Sequence, residues 1–256
     1  MSAPERATRK RGVADPSIVR FRVVLAAGLA SLEAQREQVN ALDVGWAADG
    51  DTGDNMVATL RAVLDELDRL AGDSEGRTID EIGRQEIVAS VARAALLGAR
   101  GAAGVILSQL VRGAAEELAS RPGELVDPVL IGAALSRAVD QAYGSVRDPA
   151  EGTMLTVVRE MAHRVASELA HRPEPRLARD ATALEQDLLI ADVVRSALES
   201  GRDSVARSPE RLEALRAAGV VDAGGYGIVA LIAGMAGALS GDRPDPGPHR
   251  PPPPSS

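Results

Sequence analysis

The chain has no cysteine and one lysine, Lys10. The first absence excludes disulfides, thiolate metal sites and a cysteine nucleophile. The second removes the nucleotide-binding plans that depend on a lysine. These are the P-loop, whose lysine reaches the terminal phosphates, and the protein-kinase plan, whose strand lysine pairs with them. Schiff-base chemistry goes with them. Only four aromatic residues occur, Phe21, Trp46, Tyr143 and Tyr226, the formal net charge is −8, and the sole basic cluster, "RATRKR", lies near the start. That combination speaks against nucleic-acid binding. There is no run of eighteen apolar residues, and the N-terminal segment lacks the hydrophobic stretch of a signal peptide, so the expectation is a cytoplasmic protein with no membrane span.

What the chain does have is helical signal. Ile18, Phe21, Leu25, Leu32 and Val39 recur at helical spacing behind Asp15 and Pro16, predicting one long amphipathic helix. Val57, Leu60, Leu64 and Leu67 predict another. Further starts are announced by Thr78 with Glu81, Asp127 with Pro128, Thr182 with Glu185, and Ser208 with Pro209. Alternating runs bounded by turns are missing, so strands are not expected. The predicted fold is all-α, an antiparallel barrel or bundle of eight helices over residues 15–240. A basic tail at 1–14 and a proline-rich tail at 241–256, "GDRPDPGPHRPPPPSS", are expected to be disordered.

The stretch "DVGWAADGDTGDN", residues 43–55, places four aspartates within thirteen positions. Two carboxylates about 4 Å apart repel by roughly 4 kcal/mol at an effective dielectric near 20, so a folded loop that gathers them needs a cation or many donors. A solvated acidic loop with splayed side chains is the plain alternative. The loop is not an EF-hand. Counted from Asp49, the sixth position is Asp54 where glycine is required, and the twelfth is Leu60 where a glutamate is required. Asp43, Asp49 and Asp51 remain as an oxygen-only set suited to a hard ion such as Mg²⁺, which takes one or two carboxylates and fills its shell with water and phosphate oxygens.

Glycines cluster at four helix junctions, "DGDTGDN", "GARGAAG", "DPAEGT" and "VVDAGGYG". A glycine-bearing helix start exposes N–H groups that suit a phosphate, although glycine is also a common helix terminator. "GARGAAG" is not a dinucleotide fingerprint, because the sequence before it is helical and no strand–helix–strand unit surrounds it. If the four loops fall at one end of the array, beside the aspartates, they make a nucleotide site.

In order along the chain, "NALDVGWAADGDTGDNM", "GARGAAGVILSQLVRG", "AYGSVRDPAEGTMLTVVREMA" and "RSPERLEALRAAGVVDAGGYGIVAL" resemble the nucleotide-binding L domain of dihydroxyacetone kinases. They are more similar still to the version at the N-terminus of bacterial fatty-acid kinases. The resemblance covers roughly residues 17–240 and implies an eight-helix barrel binding ATP or ADP and two Mg²⁺ ions at one end. It implies Asp49 and Asp51 as metal ligands with Asp43 as the third. Thr52, Gly53 and Asn55 follow on the phosphate side, and Gly101, Ala102, Ala103 and Gly104 form the phosphate loop. Thr153 and Met154 fall near the adenine, and Asp222 and Gly224 in the last nucleotide loop. No protein nucleophile is implied.

The chain departs from the family at Ala102 and Ala103, where asparagine and serine are usual, and at Gly45, Trp46, Ala47 and Ala48, where aromatic residues and proline are usual. It ends where the fatty-acid kinases continue, and nothing in it resembles a dihydroxyacetone-binding domain. The resemblance therefore implies a glycerone kinase-like phosphotransferase module that works on a substrate presented by a partner protein. The alternative is a catalytically weak regulatory subunit that still binds nucleotide. A homodimer is compatible with either.

Overall fold

The computed structural model describes residues 16–44, 49–72, 84–120, 126–172, 176 and 181–241. The two tails expected to be disordered fall outside these residues, as do Asp15, Trp46 and the Thr78–Glu81 cap. Eleven helices and no strand occur among the described residues. Eight are long: α1 Pro16–Ala34, α3 Thr52–Gly72, α4 Arg84–Gly98, α5 Gly101–Ser120, α6 Pro128–Ser145, α7 Met154–His171, α8 Ala183–Ala206 and α11 Ala223–Ser240. Three are short: α2 Arg36–Leu42, α9 Ser208–Arg211 and α10 Glu213–Ala218. From α3 onward each long helix packs on the next, α8 packs on α11, and α11 closes the ring on α1, which also touches α3. This is a helical barrel with eight staves.

Local sequence accounts for two of the stave starts. Asp127 caps α6, its carboxylate accepting the Leu130 N–H at 2.8 Å, with Pro128 at the first helical position. Thr182 and Glu185 form a reciprocal capping box on α8. Val57, Leu60 and Leu67 bury the predicted face of α3, and Leu64 is packed partly against the same core.

Two expectations need correction. The first long helix breaks at Gln35 into α1 and α2, although its apolar spacing continues through Leu32 and Val39. Gln35 leaves helical geometry, and its side-chain oxygen accepts the Tyr226 hydroxyl of α11 at 3.0 Å. A tertiary contact thus turns α2 toward α3. The second correction concerns Ser208, which does not cap α9. Arg207 holds the cap position, while the buried Ser208 hydroxyl donates to the Val205 carbonyl and accepts the Asp222 N–H at 3.0 Å.

Helix α11 is the one described helix long and apolar enough to cross a membrane by length and composition, and most of it is buried inside the barrel. It is a core stave. Small residues let it approach α1 closely: a Cβ on Gly234 would lie 2.4 Å from the Ala27 carbonyl oxygen and 2.9 Å from the Gly28 Cα. At the end of the barrel where α1 begins and α11 finishes, the staves enclose an apolar cavity of about 240 Å³ lined by Phe21, Leu135, Ile190 and Met235 among others.

The α1–α11 crossing yields a prediction. Alanine is the better helix former, yet Gly234→Ala forces backbone apart at a contact with no room. Overpacking of this kind costs about 1–3 kcal/mol. Urea denaturation of the variant is expected to show a loss in that range, and an unchanged midpoint would show that the crossing yields freely.

Candidate metal and nucleotide site

The four glycine-bearing junctions meet at the end of the barrel opposite that cavity. A Cβ on Gly101, at the start of α5, would lie 2.4 Å from the Asn55 amide nitrogen on α3, and one on Gly227 of α11 would lie 2.7 Å from the Met56 sulfur. One on Gly224 would lie 2.7 Å from Met154 of α7, and one on Gly152 would meet Arg211 and Ser208 at 3.0 Å. Each junction is thus pinned to its neighbour at the same end.

Asp43 closes α2, and Asp49 and Asp51 lead into α3. Oxygens of all three carboxylates lie within 4.8 Å of one another, with Asp49 exposed and the other two half-buried. The hydrogen bond with Asp49 pushes the Asp51 carboxyl above its ordinary value, and partial burial and the charges of Asp49 and Asp43 add to the effect. Asp49 is held on the opposite side of its ordinary value, chiefly by the same bond. The two carboxylates thus titrate against one another, as like charges held close together do. The cluster offers only hard oxygen donors, and that set fits Mg²⁺.

Neighbouring side chains fix the aspartates. The Thr52 hydroxyl donates to Asp43 at 3.0 Å, and the Asn55 amide donates to Asp51. Asn55 is buried and also touches the start of α5, so it joins the carboxylates to the "GARGAAG" loop. That loop has the geometry of a helix start: Gly101 adopts φ +56°, and the first intrahelical bond runs from the Gly104 N–H to the Arg100 carbonyl. The N–H groups of Gly101, Ala102 and Ala103 belong to the first turn, which an α-helix leaves without intrahelical acceptors. Ala102 is exposed, Ala103 packs partly against the core, and Gly104 is buried, with Thr59 2.9 Å from where its Cβ would be.

Of the other residues drawn in by the resemblance, Gly53, Met154 and Gly224 are buried, whereas Thr153 and Asp222 are half-buried. Gly53 is buried, and its missing Cβ accommodates the Arg36 carbonyl and Asn40 at 2.6 and 2.8 Å. Met154 and Gly224 are buried against one another. Thr153 precedes α7 and spends its hydroxyl on the Ala150 carbonyl at 2.8 Å. Asp222 caps α11 by accepting the Gly225 N–H at 2.6 Å and also takes a backbone hydrogen bond from Met154, the first residue of α7. One carboxylate therefore ties two helix starts together. Burial pushes its pKa up to about 6 against those hydrogen bonds, and Asp43 adds a little in the same direction.

Sequence reasoning missed Asn40 and read Ser208 only as a helix start. Asn40 reaches from α2 to the first turn of α3, accepting the Gly53 N–H at 2.7 Å and the Asp54 N–H at 3.3 Å, and donating to the Asp54 carboxylate at 2.9 Å. Its position three residues before Asp43, at the head of the first motif, was the available signal.

Comparison with known proteins gives a consistent picture. The DAK2 domain matches residues 46–237. Protein YloV of Bacillus subtilis strain 168 is 33% identical over 222 residues, covering 87% of this chain and 35% of that protein. An uncharacterized protein of Staphylococcus aureus strain USA300 is 30% identical over 223 residues, covering 87% of this chain and 36% of its own length. Among solved structures, the dihydroxyacetone kinase of C. freundii in complex with AMP-PNP and Mg²⁺ matches with a TM-score of 0.56 at 18% identity, over 92% of this chain and 36% of that one. The chain spans about a third of the length of these relatives.

The double cap at Asp222 carries a pH dependence. Its folded pKa of about 6 lies above the ordinary 3.8, so the folded state holds the proton more tightly than the unfolded chain. The stability that this proton supplies is fully present below pH 4 and is lost as pH rises through 6. At about 1.4 kcal/mol per pH unit, the loss is on the order of 3 kcal/mol. Asp222→Asn keeps one acceptor oxygen at this position and removes the charge. Its metal-free unfolding midpoint is expected to stay flatter than wild type between pH 4 and 6.5 and to exceed it at pH 7. Parallel pH profiles would refute the assignment.

Proposed function

The chain belongs to the DAK2 domain family, and from that premise we propose that it is a Mg²⁺-dependent ATP- and ADP-binding module of a kinase, transferring phosphoryl groups to an acceptor held by a partner protein. The observation that carries this reading is the link through Asn55. A cluster of hard-oxygen side chains and a glycine-bearing helix start are joined by one buried amide, an arrangement that suits a cation beside a phosphate. The match to a dihydroxyacetone kinase solved with AMP-PNP and Mg²⁺ supports the same fold.

In this reading Asp43, Asp49 and Asp51 hold the metal, two ions in all. Bound Mg²⁺ supplies charge neutralisation between the carboxylates and the phosphates. The chain's own residues do the rest. Asn55 orients Asp51, Thr52 orients Asp43, and the first-turn N–H groups of α5 take phosphate oxygens. Gly101 keeps the approach open, because a side chain there would occupy the space of the Asn55 amide. Ser208 and Asp222 set the relative height of α7 and α11 and so shape the wall on the nucleoside side. No side chain acts as nucleophile; catalysis is positioning and electrostatics. The relatives extend well beyond the stretch they share with this chain, which leaves room in them for an acceptor-binding part.

A second reading has its own observation. Ala102 and Ala103 stand at the first turn of α5 with no side-chain donor, which suits a regulatory subunit that binds nucleotide but transfers slowly. A hydrogen bond to a charged group contributes about 1.5–3 kcal/mol.

Calorimetry with ADP, with and without Mg²⁺, tests the main reading. Wild type is expected to bind only with Mg²⁺, and Asp49→Ala and Asp51→Ala to lose that binding while keeping a helical circular dichroism spectrum. Nucleotide affinity unchanged in both variants would sink the metal assignment. Ala102→Asn separates the two readings, since Ala102 is exposed and a new amide there can reach a phosphate. Tighter ADP binding and faster ATP turnover in the presence of partner mark a weakened kinase, whereas tighter binding alone marks the regulatory subunit.

A further inference from the structure

Helix α3 starts in an unusual way. It runs from Thr52, so Asp51 holds the cap position, and the Asp51 carbonyl accepts the first intrahelical N–H, from Asn55, at 2.8 Å. An aspartate at that position ordinarily turns its carboxylate inward to accept the N–H of the second or third helical residue. Here those two N–H groups, of Gly53 and Asp54, are taken by the side-chain oxygen of Asn40 from a different helix. The Asp51 carboxylate is left facing Asp43 and Asp49. Gly53 makes this substitution possible, since a Cβ there would crowd both the Asn40 oxygen and the Arg36 carbonyl. The Asn40 amide is itself held by Asp54, which also pairs with Arg36 at 3.2 Å.

We infer that Asn40 is a positioning residue for the divalent-cation site: by capping α3 in place of Asp51, it releases the Asp51 carboxylate to the metal. The inference rests on the reading above that Asp43, Asp49 and Asp51 hold the ion. Without the Asn40 oxygen, two N–H groups at the start of α3 lose their acceptor, and the nearest replacement is Asp51. Capping and metal binding then compete for one carboxylate. A merely structural Asn40 predicts the opposite pattern, a loss of stability with no change in the metal affinity of the folded protein.

The test is Mn²⁺ binding to the full chain, followed by electron paramagnetic resonance, alongside urea denaturation of the metal-free protein. Groups that orient metal ligands typically control affinity by about 10- to 100-fold. Asn40→Ala is expected to weaken Mn²⁺ binding by at least about tenfold on that scale, with only a small shift in the urea midpoint because Asp51 takes over the cap. The exchange Asn40→Asp with Asp54→Asn keeps an acceptor at position 40, reverses the hydrogen bond to position 54, and leaves Arg36 a carboxylate one turn away. It is expected to restore Mn²⁺ affinity to within a few-fold of wild type. Wild-type affinity in folded Asn40→Ala overturns the inference and leaves the metal reading standing. Should Asn40→Ala not fold, the exchange variant decides: folded and binding supports the inference, folded and not binding overturns it. Failure of the wild-type chain to bind Mn²⁺ removes the metal reading and this inference with it.

Discussion

Three carboxylates with oxygens within 4.8 Å of one another repel, and one end of the barrel is organised around keeping them there. Among the described residues, no cation side chain enters the interactions that shift Asp49 and Asp51. Arg36 is engaged with Asp54, and the only lysine lies in the N-terminal tail. Instead, neutral donors restrain two of the three acids from the side: Thr52 holds Asp43, and Asn55 holds Asp51. Neutral partners fix geometry without discharging the cluster, so its charge stays available to whatever cation enters. Preorganisation of this sort is stored at the expense of the apo state, and it is why the same end also needs rigid junctions.

Those junctions explain much of the glycine pattern. Exposed N–H groups for phosphate were one reason to expect glycine at helix starts, and Gly101, with φ +56° and an amide nitrogen in its Cβ space, fits that role. At Gly53 and Gly224 close packing is sufficient by itself, because Arg36, Asn40 and Met154 occupy the space a side chain would need. A glycine-rich motif can therefore mark a nucleotide site indirectly, by bringing together the staves that form its walls.

The helical class, the long staves and the acidic cluster were legible because their causes are local. Asp127, Thr182 and Glu185 act within a turn of where they stand, and the three aspartates share one short loop. The break at Gln35 was not legible, since its cause is Tyr226, 191 positions away, while the apolar spacing runs on undisturbed. Ser208 looked like a cap because serine before proline usually is one, and only the packed structure shows its hydroxyl turned to Asp222. Asn40 was hidden for a related reason. A cap read from sequence is sought beside the helix it serves, and this one comes from the helix before.

The ring closes between its first and last staves, and this dictates an order of events in time. During synthesis α1 to α8 emerge before the stave that seals them, and the same late segment carries Asp222 and Tyr226, the anchors of α7 and of the Gln35 bend. Until residues 222–240 are in place, α1 and α8 lack the neighbour that covers their apolar faces, and the acidic loop lacks the bend that aims it. Contacts this distant in sequence are costly to form early, because a long loop must close before they repay its entropy. The acidic end of the barrel is therefore the last part to mature, and a nascent chain stalled short of α11 is an open, adhesive sheet of helices with its three aspartates unaimed.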